Sequence, residues 1–78
     1  MKLKAKIKYI LDSRNYTLSD YAKRTMRSRQ AVSKRVSDGA LDLKEVIDIC
    51  EMTGYTLAIV DDKGDVVISF SKDDLVEK

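Results

Sequence analysis

The 78-residue chain has no histidine, no proline, one cysteine, three glycines, and only four tyrosines and one phenylalanine as aromatics. A single cysteine cannot form an internal disulfide, which fits a reducing cytoplasm. Without histidine or a second cysteine the usual zinc ligand sets cannot be assembled. No glycine-rich run cradles a phosphate and no histidine can act as a general base, so the chain reads as a non-enzyme without a cofactor. Asp61, Asp62 and Asp65 lie close together, but they fit a turn better than an acid/base pair, and their spacing matches no EF-hand loop. Tyr55 and Phe70 are the only aromatics near the strand-like segments, too few for the stacking platform of an RNA reader. No apolar run reaches membrane length, and the basic N-terminus is not followed by the apolar stretch of a signal peptide.

What is present is charge. Charged residues make up 36% and hydrophobic residues 44% of the chain, the balance of a globular, helix-rich protein. One domain over residues 1–78 is expected, near the lower limit for a self-sufficient core, so a second copy would help. The net charge of +2 hides a strong asymmetry. Residues 1–36 hold eleven Lys/Arg against two Asp/Glu, and residues 37–78 hold four against eleven, which gives +9 and −7. A dipolar chain of this kind offers its basic end to a polyanion.

The basic half contains the most informative stretch, Thr17 to Gly39. Leu18, Tyr21, Ala22 and Thr25 recur at helical spacing, Met26-Arg27-Ser28 interrupts, and Val32 and Val36 mark the buried stripe of a second helix. Thr17 with Asp20 forms a capping box, Ser28 caps the second helix, and Asp38-Gly39 closes it. The small Ala22 lets the second helix cross the first closely, as a helix-turn-helix requires. The outer face of that second helix carries Arg29, Gln30, Ser33 and Lys34, with Ser37 beyond them. Arg and Lys suit a guanine edge, Gln an adenine edge, and Ser either, so the face has a vocabulary for the major groove. An ordinary helical hairpin with a solvated face has the same pattern, and the charge asymmetry favours the DNA reading.

Four helices are expected, over about 2–13, 17–25, 28–38 and 42–53. The first places Leu3, Ile7, Ile10 and Leu11 on one apolar stripe, with Lys2, Lys4, Lys6 and Lys8 on its other sides. Short and without large aromatic anchors, it fits a core helix better than a membrane-surface one. The fourth is bounded by a capping pair, Asp42 with Glu45, and by Gly54, with Leu43, Val46, Ile47 and Cys50 as its stripe. Residues 55–70 then read as an antiparallel β-hairpin. With Lys63-Gly64 as a two-residue tip, Ile59 faces Ile68 and Leu57 faces Phe70 on one side, and Val60 faces Val67 on the other. An isolated hairpin with two apolar faces and a free edge is marginal alone, so Leu57, Ile59, Ile68 and Phe70 are expected to dimerise. Ser71 with Asp74 starts a last short turn over residues 71–78.

The run from Arg29 to Gly39, RQAVSKRVSDG, resembles the recognition helix of the lambda-type Cro/repressor (XRE-like) helix-turn-helix proteins of phages and bacteria, and the similarity extends over residues 17–39. The terminal hairpin also resembles the dimerising strand of Cro. The resemblance implies a small dimeric, cytoplasmic, nucleoid-associated repressor that reads a pseudo-palindromic operator in double-stranded DNA. It assigns base reading to Arg29, Gln30, Ser33 and Lys34, and phosphate anchoring to Thr17 and Ser28, with Arg27 and Arg35 beside them. Arg14, in the loop before the motif, would also reach phosphate. Three features depart from the family: Met26 stands at the turn position that is usually glycine, Arg27 at one usually apolar, and a full fourth helix precedes the hairpin. The alternative reading is a protein-interaction module, such as an antitoxin, whose hairpin binds a partner protein.

Overall fold

The computed structural model describes residues 2–75. It comprises four α-helices, α1 (Leu3–Asp12), α2 (Leu18–Thr25), α3 (Arg29–Ser37) and α4 (Leu43–Thr53). An antiparallel hairpin, β1 (Leu57–Val60) with β2 (Val66–Phe70), and a 3-10 turn (Lys72–Leu75) follow. The chain divides between Leu41 and Asp42 into two compact units.

In the first unit, α3 packs against both α1 and α2. Of the predicted stripes, Ile7 and Leu11, Tyr21 and Ala22, and Val32 and Val36 are buried, Ile10, Leu18 and Thr25 are half-buried, and Leu3, at the start of α1, is exposed. Both caps form as expected. Thr17 Oγ1 accepts from the Asp20 amide (3.2 Å) while the Asp20 carboxylate accepts from the Thr17 amide (2.8 Å), and Ser28 Oγ accepts from the Ala31 amide (3.1 Å).

All four helices stop in the same way, with a residue of positive φ just past the last turn: Asn15 (62°), Met26 (59°), Gly39 (66°) and Gly54 (80°). The amide after each donates to the carbonyl five residues back, as in Tyr16 to Leu11, Arg27 to Ala22, Ala40 to Arg35 and Tyr55 to Cys50. This satisfies carbonyls that the helix end would otherwise leave bare. Glycine fits the conformation freely and asparagine tolerates it, but an unbranched apolar side chain pays about 1–2 kcal/mol there. Met26 is 94% exposed, so no packing of its side chain offsets that cost.

In the second unit, α4 packs against β1 and the 3-10 turn. Its buried positions differ from the expected stripe. Ile47 is buried as predicted, but Leu43 is exposed, Val46 and Cys50 are half-buried, and the other buried residues are Glu45, Ile49 and Thr53. These three are four apart, one ridge of the helix. Two of them are polar and nevertheless bury, because each has a local partner: the Glu45 carboxylate accepts from the Asp42 amide (3.5 Å), and Thr53 Oγ1 donates to the Ile49 carbonyl (2.9 Å). The Cys50 thiol is pushed up from its ordinary pKa, by burial first and by the charge of Glu51 second, which keeps it protonated and inert at neutral pH.

The hairpin keeps the predicted pairs Leu57–Phe70 and Ile59–Ile68, but Val60 pairs with Val66 rather than Val67. The cause is the turn. Lys63-Gly64 is not a two-residue tip, because the Asp61 amide donates to the Asp65 carbonyl and leaves three residues, 62–64, in the loop, with Gly64 at φ 87°. Asp61 Oδ1 stabilises this longer loop by accepting from the Lys63 and Asp65 amides (2.9 and 3.0 Å). A bulge then sets two residues, Val66 and Val67, against Val60 and restores the register at Ile59. At the other end the Asp74 carboxylate accepts from the Ser71 amide (2.8 Å) and starts the 3-10 turn; Val76 to Lys78, also expected in that last turn, lie outside the described residues.

The helix closures yield a paired prediction. Met26→Gly relieves the left-handed strain and should raise stability by about 0.5–1 kcal/mol. Gly39→Ala should lower it by about 1 kcal/mol through conformation alone, since the nearest atom to an added Cβ is Leu3 Cδ2 at an ordinary 3.8 Å. Urea midpoints of the two variants, moving in opposite directions, check this.

Candidate nucleic-acid interface

The candidate surface is built from the first unit alone. Ala22 is only 3% exposed under α3, so with no larger side chain there the second helix of the pair sits close on the first. The turn fixes the start of α3: the Arg27 amide donates to the Ala22 carbonyl (3.0 Å), Met26 takes the left-handed conformation, and Ser28 caps. With Val32 and Val36 facing inward, Arg29, Gln30 and Lys34 are exposed and Ser33 is half-buried at the edge of the core. Of the expected phosphate contacts, Arg14, Thr17, Arg27 and Ser28 are exposed and Arg35 is half-buried.

Two partnerships bear on how the expected contact residues can be used. Lys34 Nζ makes an exposed ion pair with Asp38 Oδ2, one turn on (3.0 Å). Such a pair is worth only about 0.3–0.5 kcal/mol, so the ammonium can exchange it for another acceptor at small cost. Arg35 Nη2 donates to the Ala40 carbonyl (3.1 Å), which ties one arm of its guanidinium to the closure of α3. Neither partnership was evident from the sequence pattern, although the four-residue spacing of Lys34 and Asp38 was a readable signal.

The structure also gathers residues that the motif does not join. An open groove of about 310 Å³ lies between α1, the start of α2 and α3. Leu11 and Leu18 contribute apolar lining, and its polar lining is Lys4, Lys8 and Asp12 of α1, Thr17, and Arg29 and Ser33 of α3. Three expected site residues therefore meet there with two lysines one helical turn apart. Gln30, Lys34, Arg14, Arg27, Ser28 and Arg35 are not part of it.

Charge follows the division of the chain. The unit Met1–Leu41 holds eleven Lys/Arg against three Asp/Glu, and Asp42–Lys78 holds four against ten, so the units carry +8 and −6. Among the described residues no helix is long and apolar enough to cross a membrane.

Comparisons with protein-family models, with curated proteins and with solved structures returned no match for this chain. The likeness to the Cro/repressor family therefore rests on residues 17–39 themselves.

The capping role of Thr17 can be tested directly. Thr17→Ala removes the cap of α2 and should cost about 1 kcal/mol of stability. Thr17→Ser keeps the capping hydroxyl, which also donates to the Asp20 carboxylate (3.1 Å), and should stay within about 0.5 kcal/mol of wild type. Thermal melts of the two variants test the cap.

Proposed function

We propose that the protein is a sequence-specific DNA-binding regulator whose α2–turn–α3 unit docks α3 in the major groove. The observation that carries this reading is the outward face of α3. It presents Gln30, Ser33 and Lys34 behind the first-turn Arg29, on a helix capped and closed at both ends within a unit of charge +8. Glutamine pairs with an adenine edge, serine with several edges, and lysine with guanine. The excess positive charge supplies the salt-dependent phosphate term that holds any such helix against a duplex.

The reading includes a homodimer formed through the hairpin. Both strands leave an edge unpaired, and Ile59 and Ile68 stay more than half exposed, as do Val60, Val66 and Val67 across the bulge. A second copy is the occupant we favour. Its hairpin offers the same apolar face, and a two-fold axis doubles the number of base contacts made by a nine-residue recognition helix. The same exposed residues favour, as a second reading, a foreign protein partner in place of the second copy.

Selection from random duplex DNA at physiological salt tests the function. A two-fold symmetric site should be enriched, and Gln30→Ala should lose about 1–3 kcal/mol of discrimination at one base position per half-site. An unchanged preference in that variant would sink the docking of α3. The dimer is tested separately by sedimentation equilibrium: Ile68→Asp should shift the protein to monomer while leaving its helical circular dichroism intact. A wild-type protein that is monomeric at all concentrations would leave the hairpin to a different partner.

A further inference from the structure

The groove between α1 and α3 contains more cations than its own structure uses. Lys4, Lys8 and Arg29 line it together with a single carboxylate, Asp12, which leaves a net charge of +2. Among the described residues none of these four side chains forms an ion pair, although Lys8 and Asp12 are four apart on one helix. The hydroxyls of Thr17 and Ser33 complete the lining. Three cations outnumbering one carboxylate, with two hydroxyls, around an open groove match the chemistry of a phosphodiester, which takes both charge and hydrogen-bond donors. Gln30, the next residue on α3, lies outside the groove, so the helix turns from one kind of lining to another within a single step.

Building on the DNA-binding reading, we infer that this groove seats one backbone phosphate of the duplex, with Lys4 and Lys8 of α1 and Arg29 of α3 around it. Arg29 is then a phosphate contact and not a reader of guanine, against the role its place in the helix-turn-helix pattern implies. Base discrimination falls to Gln30 and Lys34, with Ser33 at the boundary. α1, which the motif treats as scaffold, becomes part of the interface through the side that carries Lys4 and Lys8, whereas Lys6 lies outside the groove.

The test measures binding to a labelled duplex carrying the selected site, and to a scrambled duplex, over a range of salt concentrations. Lys4→Ala, Lys8→Ala and Arg29→Ala should each reduce the slope of log K against log salt by about one on both duplexes and leave the selected base preference unchanged. Lys6→Ala should leave the slope as in wild type. Arg29→Lys should restore the slope and leave the preference unchanged, because a phosphate accepts a point charge where a bidentate guanine contact does not. A preference altered at one base position by Arg29→Ala, or equal losses of slope from Lys6→Ala and Lys8→Ala, would overturn the inference while DNA binding stands. Failure of the wild-type protein to bind either duplex would remove the DNA-binding reading and this inference with it. Thermal melts confirm that each variant, altered only at exposed positions, is folded.

Discussion

One backbone bond, from the Arg27 amide to the Ala22 carbonyl, governs what the first unit can present. It closes α2 only if Met26 accepts a left-handed conformation, and it sends the chain into Ser28, whose hydroxyl opens α3. The direction of α3 and the outward placement of Gln30 and Lys34 follow from that closure together with the burial of Val32 and Val36. Three other helix ends use the same closure with asparagine or glycine. Here alone a residue that resists the conformation stands in it, and its thioether is in solvent. The strain is thus stored in the turn of the motif and is met by the packing of the two helices it joins.

Electrostatics and hydrophobicity are divided along the chain rather than mixed over it. The positive unit presents cations around a core of three helices, with Leu3, Tyr9 and Met26 as its exposed large apolar side chains; the negative unit presents the exposed valines and isoleucines of the hairpin. A polyanion is attracted to the first and repelled by the second, while an apolar surface has its best match on the second. Two kinds of contact can therefore be made by one short chain without competing for the same residues.

Much of this was legible in the sequence where the determinants are local. Capping pairs such as Thr17 with Asp20, and stops such as Gly39 and Gly54, act within a few residues and appear as the pattern implies. The stripe of α4 was less legible because hydropathy treats Glu45 and Thr53 as surface residues, whereas their local hydrogen bonds let them bury. The hairpin tip was misread for a similar reason: Asp61 spends its carboxylate on two loop amides and so favours three loop residues over two. The groove was not legible at all. Lys4 and Lys8 approach Arg29 only through the packing of α1 on α3, which no spacing within either helix encodes.

The bulge in β2 bears on what can cover the hairpin. A regular ladder would alternate cleanly and give each face its own set of side chains. With two residues opposite Val60, the ladder is interrupted at the end near the turn, and a bulge increases the local twist of a strand pair. Bulges of this kind hinder edge-to-edge growth of a sheet. The pairs Leu57 with Phe70 and Ile59 with Ile68 lie at the other end and remain in regular register. A partner that joins face to face over these two pairs is therefore compatible with the strand geometry. Unlimited addition of strands along the bulged edge is not, and this is the constraint that the strand geometry places on the proposed pairing of two copies.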